Sequence, residues 1–532
     1  MVPYARPKPR ARDTIAIKQR TVRNRAEMSR GSRMILDTLG GETPPGRGRW
    51  WPLVIGVCIA LTIWCIVDVR RRARVDGRSP HSTDFTVYTE AGAAFFDGRD
   101  PYAVTNPRGW HYLYPPLFAI LVAPLHSLDP PWQATVWFAL SAAMSFGCFF
   151  ECRSIARSLD IPGSRDPLHS RAIPWWIGVA ALLAVLLPTL DCLQRGQVGV
   201  AVTYLLLVGY RQILQGRAWP RWTLGGAVLA MPVALKLTPI LPVGFVLFQQ
   251  FASVFSAGER DRLIRRAVSS SLGILIGGLL FFLIVPGVFV GWSANLRHLH
   301  TWLQRVVISD LEADRSFDFR SVRNQSMSNA VSRFGRWISH TVAGGPDDRL
   351  FGGWASPAPQ APMGESIVAG AMIAVRLALL AMLLISGFWL SRGGDAIGQA
   401  AAFGLACALT LLISPLSWGH HYTLMLPAVL FVPLWLWQRK MPRASLTIAT
   451  IPALLSLLHY GLLEYTGRIG LLGIGTTLWF LAICGMVPAA RRVDPESVAP
   501  ERRRRKGRSC DEPVPTERPE VPATRRTETD GC

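Results

Sequence analysis

Stretches such as "WPLVIGVCIALTIWCIV" (51–67) and "ESIVAGAMIAVRLALLAMLLISGFWL" (365–390) run long enough to cross a bilayer with almost no charge, given that a spanning helix takes about 20 apolar residues. Inside a bilayer every backbone N–H and C=O must be satisfied within the chain, which leaves helices for runs of this length. The chain is therefore expected to be an all-α polytopic membrane protein. Twelve runs are read as spans: 51–67, 113–127, 131–150, 172–190, 198–214, 224–255, 270–291, 366–390, 396–413, 418–437, 446–463 and 470–487. The sixth is too long for one straight helix, and Pro232, Pro239 and Pro242 mark it as kinked or broken.

The net charge of +22 sits mainly in two tails. Residues 1–50 carry twelve Lys/Arg against four acids, and eleven Lys/Arg follow Ala490, including "RRRRK". Polybasic segments flanking membrane helices are read as cytoplasmic anchors drawn to anionic lipid, so no nucleic-acid partner is expected. Both tails, 1–50 and 489–532, are expected to be disordered and cytoplasmic, and 51–488 to be the functional domain. The first apolar run lies too far from the start for a cleaved signal and reads as a signal anchor. "RDRLIRR" and "QRKMPR" are short basic loops, cytoplasmic by the positive-inside rule, which places the long segment 292–365 outside. "RRRAR" after the first span opposes this orientation, but the twelve basic residues ahead of that span outweigh it. The nine cysteines lie in or beside apolar runs or in the basic tail and form no disulfide or zinc pattern.

The segment between the first two runs is unlike the rest. "DFTVYTEAGAAFFDGRDPY" places Phe85, Tyr88, Ala91, Gly92 and Phe95 at helical spacing, an amphipathic helix expected to lie along the outer interface. Asp84 falls at its N-cap, where a carboxylate would satisfy orphan N–H groups, and Asp100 before Pro101 reads as a turn former. Tyr114 opens "YPPL" at the start of the second run. Further on, "LQRGQ" (Gln197), "ALKLTP" (Lys236) and "SPLSWGHHY" (His420, His421) put polar groups within or at the ends of apolar runs. An embedded lysine costs a few kcal/mol, so Lys236 needs a partner or a watery cavity. Adjacent helical residues diverge by about 100°, so His420 and His421 do not share a metal; one is expected to face a cavity and the other to pack or anchor at the interface. "RNQSMSNAVSR" supplies Asn324, Gln325 and Arg333, and alone reads as a capped loop helix.

Taken in order, these motifs resemble glycosyltransferase family 87, mannosyltransferases of GT-C type that use polyprenyl-phosphate sugars. The resemblance covers about residues 51–488. It implies a GT-C bundle in which Asp84 matches the family's aspartate in the first outer loop, the catalytic base. It also implies that Lys236, His420, His421, Gln197, Asn324, Gln325, Arg333 and Tyr114 contact substrate and phosphate. The chain departs from the pattern at Val198–Gly199, where the family commonly has Asn, and at Leu237–Thr238, which separate the lysine from its proline.

The implied chemistry suits these groups. A polyprenyl-phosphate sugar carries its own good leaving group, so the reaction needs one base for the acceptor hydroxyl and cationic or hydrogen-bonding groups for the departing phosphate, a task for Lys236, Arg333 and a histidine. One carboxylate with inversion suffices; Glu90, six residues beyond Asp84, faces elsewhere. No cofactor or metal is expected. The expected reaction moves a sugar, mannose by the resemblance, to a lipid or glycan acceptor on the outer face of the plasma membrane. A transporter or flippase of lipid-linked sugars is the competing class, since embedded Lys and His also mark translocation paths; a diphosphate-dependent ligase is another.

Overall fold

The computed structural model describes residues 51–75, 81–158, 173–255, 260–309, 323–331, 365–392 and 396–492. The basic tails lie outside these, apart from 489–492, which continue the last helix. The chain divides into two units, Met1–Asp68 and Val69–Cys532. The described part of the first unit, 51–68, is the first portion of helix α1 (Trp51–Arg72).

In the second unit the chain continues through α2 (Phe85–Phe96), α3 (Pro116–Val122, extended by a 3-10 turn Ala123–Ser127), α4 (Pro130–Ser158), α5 (Trp175–Arg195) and α6 (Gly199–Gln215). Next come α7 (Trp219–Leu235), α8 (Ile240–Val254), α9 (Arg260–Gly278, running on without a break to Val290) and α10 (Trp292–Trp302). After these come α11 (Glu365–Ser391), α12 (Ala396–Ile413), a 3-10 segment Gly419–Met425, α13 (Leu426–Gln438), α14 (Pro442–Gly461), α15 (Leu463–Ile469) and α16 (Leu471–Arg492). Among the described residues there is no strand, only the isolated bridges Thr105–His111 and Asn324–Trp418.

Seven described helices are long and apolar enough to cross a membrane: α4, α5, α9 with its extension, α11, α12, α14 and α16. The core lies along α12, where Gly404 and Ala408 belong to an unbroken buried run from Ile397 to Leu412. By contrast α9, whose apolar window has the highest mean hydropathy of the seven, is among the least buried, with Val268, Leu272 and Leu275 at 61%, 49% and 59% exposure. Apolar side chains turned outward along a whole helix are stable only against lipid, and this is a polytopic membrane protein.

Two of the expected spans come out differently. Residues 113–127 hold only α3 and its 3-10 turn, Pro116–Ser127, about 18 to 24 Å long where the apolar core of a bilayer is about 30 Å. It is shorter than a full crossing, as is α8 (Ile240–Val254). Thr89 Oγ1 donates to Gln133 Oε1 at 2.6 Å, which ties α2 to the first turn of α4 at the same end of the molecule. The run 224–255 is instead two helices, α7 and α8, broken at Lys236–Pro239. Pro239 at the N-cap of α8 accounts for the break, since it cannot donate to a continuing helix and disfavours helical backbone at Thr238, whereas α7 runs through Pro232 to Leu235. Helix α2 forms where expected, with Gly98 beyond its end at φ +69°, but nine of its twelve residues are buried, more than the single apolar stripe of an interfacial helix.

Candidate active site

Asp84 is placed by a contact between segments 112 residues apart. Its backbone N–H and the Thr83 hydroxyl both donate to the Arg195 carbonyl, at 2.9 and 3.2 Å. Gly196 makes the approach possible: its φ is +69°, and a Cβ there would lie 2.6 Å from Cβ of Phe85. Asp84 occupies the N-cap position, but its own conformation is near-helical and its side chain caps nothing; Thr83 Oγ1 accepts from the Phe85 N–H at 3.3 Å instead. The carboxylate points toward the "GQ" turn, where Gln197 Nε2 donates to Oδ2 at 2.6 Å. The relay continues outward, with Tyr114 Oη donating to Gln197 Oε1 at 2.9 Å and lying 3.3 Å from Tyr88 Oη. Asp84 is 3% exposed, and its Oδ1 has no hydrogen-bond partner among the described residues. A buried carboxylate oxygen without a donor is costly, so it needs a compensating partner in the working protein.

Lys236 sits in the break between α7 and α8 in extended conformation, φ −158°. Its Nζ lies 2.8 Å from His421 Nε2 and 5.3 Å from the ring centre of Tyr114. His421 is oriented by the Trp418 N–H, which donates to Nδ1 at 3.3 Å, and its ring stands nearly perpendicular to that of His420 at 4.5 Å. His420 Nδ1 in turn is 3.7 Å from Asp191 Oδ2.

These groups surround one cavity of about 340 Å³, lined by Asp84, Tyr114, Gln197, Lys236, His420 and His421 on its polar side. Leu237, Ile240, Leu241, Val306, Val307 and Ile413 form an apolar wall, and Trp110, Trp302 and Trp418 also face in. Six of the nine residues expected from sequence therefore share one cavity, and both histidines line it, where only one had been expected to. Asn324 and Gln325 do not line it. Asn324 Nδ2 donates to the Pro415 carbonyl at 3.0 Å and its Oδ1 accepts from the Ser417 N–H at 2.9 Å, while the Gln325 N–H donates to the Ser417 carbonyl at 2.6 Å. Both brace the wall from behind. Arg333 lies outside the described residues.

Sequence reading passed over three neighbours. Asp191, on α5, accepts from Arg195 Nε at 2.6 Å and is 3.4 Å from Tyr460 Oη, so it backs His420 with an anion held by two partners. The signal was present as a carboxylate within an apolar run, four residues before an arginine. Trp110 and Trp418 carried no such signal. Glu90 is half-exposed, 4.0 Å from His126, and does not line the cavity. Asp100 accepts from the Tyr102 N–H at 3.0 Å as a turn residue should, and also from Arg305 at 2.8 Å.

A family model for glycosyltransferase family 87 matches residues 112–415. The chain belongs to glycosyltransferase family 87. Curated relatives of this family-87 chain include polyprenol-phosphate-mannose-dependent alpha-(1-2)-phosphatidylinositol mannoside mannosyltransferases. That of Mycobacterium tuberculosis is 25% identical over 403 residues, 73% of this chain and 76% of the relative. That of Mycolicibacterium smegmatis is 24% identical over 384 residues, 69% and 73% of the two chains. A phosphatidylinositol pentamannoside mannosyltransferase of M. tuberculosis is 25% identical over 394 residues, 71% and 70%. No solved structure matches the chain. As a family-87 member the protein is a glycosyltransferase, and the transporter and ligase readings fall away.

Proposed function

We propose that the enzyme transfers mannose, with inversion, from a polyprenyl-phosphate donor to a glycolipid of the phosphatidylinositol mannoside class at the extracytoplasmic face. The observation that carries this reading is the Asp84 carboxylate, aimed into a cavity whose other polar groups are cationic or neutral donors. Gln197 holds Oδ2 and so orients the carboxylate, leaving Oδ1 to accept the acceptor's hydroxyl proton. The acceptor oxygen then forms its bond to the anomeric carbon while the bond from that carbon to the phosphate oxygen breaks, its electron pair leaving on polyprenyl phosphate. Lys236 and His421 stabilise the charge that grows on the phosphate. Tyr114, 5.3 Å beneath Lys236, helps fix the ammonium by a cation–π contact. The apolar wall along Leu237, Ile240 and Val306 suits the polyprenyl chain, and the activities for which the relatives are named motivate both donor and acceptor.

The direction of the helices supports the sidedness of this reading. Helices α5 and α7 run toward the cavity; α6, α8 and α13 run away from it, toward Arg217, Arg260 and Arg439. The arginines and Lys440 gather at the end opposite the site, which by the positive-inside rule is cytoplasmic. On this reading 113–127 stays at the cavity end beside α2, which is tied to the start of α4, and 224–255 counts as two passes, giving twelve in all.

The test is transfer by the purified enzyme from radiolabelled polyprenyl-phosphate mannose to phosphatidylinositol mannosides, with products identified by mass spectrometry. Asp84→Asn, which keeps the shape of the side chain, is expected to bind donor normally and lose at least ~10²-fold in kcat. Native turnover in that variant rules out Asp84 as the base; failure of the wild type with every polyprenyl-phosphate sugar rules out the donor class.

A further inference from the structure

Trp110 and Trp418 come from segments 308 positions apart and meet at the cavity with ring centres 5.7 Å apart and planes inclined by 63°. Neither is buried, and both are held by their backbones. The Trp110 N–H donates to Asn106 Oδ1 at 3.1 Å and its carbonyl accepts from the Asn106 N–H at 3.1 Å, while Trp418 is bridged to Asn324. The Arg108 guanidinium lies over the Trp110 ring at 5.2 Å. Two indoles carried on hydrogen-bonded backbone, in contact with each other and left partly open to a cavity, offer exposed aromatic surface. They are preformed surfaces for a ligand with both apolar and polar faces.

We propose that Trp110 and Trp418 form the subsite for a pyranose ring of the acceptor, the ring to which the new sugar is joined. A pyranose presents patches of C–H groups on its faces and hydroxyls around its rim, so it can stack on indole while turning one hydroxyl to a base. The pair stands where that hydroxyl must be delivered: Asn106 Nδ2 donates to the Thr83 carbonyl at 3.2 Å, pinning the Trp110 loop to the residue beside Asp84. In-line displacement needs acceptor and departing phosphate on opposite sides of the anomeric carbon. Lys236 and His421 serve the phosphate; the segment carrying Trp110 is tied to Asp84, and Trp418, whose N–H donates to His421 Nδ1, stands between the two sides. This inference rests on the transferase reading for the identity of the ring, but not for its binding.

The experiment uses the full chain in lipid nanodiscs and two readouts. The first is saturation-transfer NMR with methyl α-mannoside, methyl α-glucoside and methyl β-galactoside as probes. The wild type is expected to give saturable signals on the ring C–H protons of at least one glycoside. Those signals should weaken about tenfold in Trp110→Ala, the worth of one lost aromatic contact, and persist in Trp110→Phe and Trp418→Phe, which also guard against loss of fold. The second is kinetics with phosphatidylinositol mannosides, where Trp110→Ala is expected to raise the acceptor KM about tenfold and leave the donor KM unchanged. No saturable binding of any glycoside by the wild type overturns the subsite, as does a variant in which only the donor KM or only kcat moves. Binding that depends on Trp110 in a protein that transfers no mannose upholds the subsite and overturns the mannose-transfer reading.

Discussion

Asp84 illustrates how position and role can part. It stands at the N-cap of α2, where an aspartate ordinarily accepts from the first-turn N–H groups, yet its carboxylate turns to Gln197. That geometry leaves a helix end to be served by Thr83 and releases one carboxylate oxygen into the cavity. Lys236 shows the complementary case of a lysine whose neighbours are a histidine ring and an aromatic face rather than a carboxylate. A lysine not already neutralised by an acid keeps its charge available for an incoming phosphate. Lys236→Met is accordingly expected to raise the donor KM by about 10- to 100-fold, the equivalent of a hydrogen bond to a charged group, with the acceptor KM unchanged. Initial-rate kinetics with each substrate varied in turn measure both; a rise in the acceptor KM instead would place the phosphate elsewhere.

Among the elements, the turns between helices do more for the site than the helices themselves. The α5–α6 turn carries Gln197, the α7–α8 break carries Lys236, and the segment after α12 carries both histidines. Each of these turns brings polar groups to an end of a helix where backbone is already free of intrahelical bonds, so the polar groups find partners there without disrupting a ladder. The α5–α6 turn is the most constrained, since Gly196 combines positive φ with contact to Phe85. Gly196→Ala is expected to cost about 1–2 kcal/mol of stability from the left-handed backbone alone. The added Cβ also pushes the start of α2 away, and a shift of about 1 Å there lowers kcat by up to about 10²-fold. Thermal unfolding and kcat measured on the same preparation test this; a variant with native kcat shows that the approach of Gly196 to Phe85 does not set the position of Asp84.

For the whole molecule, the distribution of charge and the direction of the helices make one statement together. The polar cavity gathers at the ends of α5, α7 and α12 and the beginnings of α6, α8 and α13, while Arg217, Arg221, Arg439, Lys440 and Arg443 gather at the other ends. The short α2–α3 hairpin remains at the cavity end. In a background without cysteine, Asp97→Cys beside the hairpin is expected to react with a membrane-impermeant maleimide on intact cells. Arg443→Cys, at the start of α14, is expected to react only after permeabilisation. Labelling of both from one side overturns the proposed twelve-pass arrangement, and labelling of Arg443→Cys alone from outside inverts it.

The amino-acid sequence alone determined the helical class, the placement of most apolar helices, the break near Pro239 and the set of polar residues that needed an explanation in an apolar chain. These are local properties: about 20 residues of hydropathy, or one proline, decide them. What tertiary structure decided was which of those polar residues meet. Whether 113–127 crosses depends on how α3 packs against α2 and α4. That Asp84 faces Gln197, that both histidines line the cavity, and that Asn324 and Gln325 brace its wall depend on contacts between segments about a hundred residues apart. The indole pair at the mouth was invisible in sequence for the same reason: a tryptophan in a membrane protein is unremarkable until the packing leaves it open beside a carboxylate.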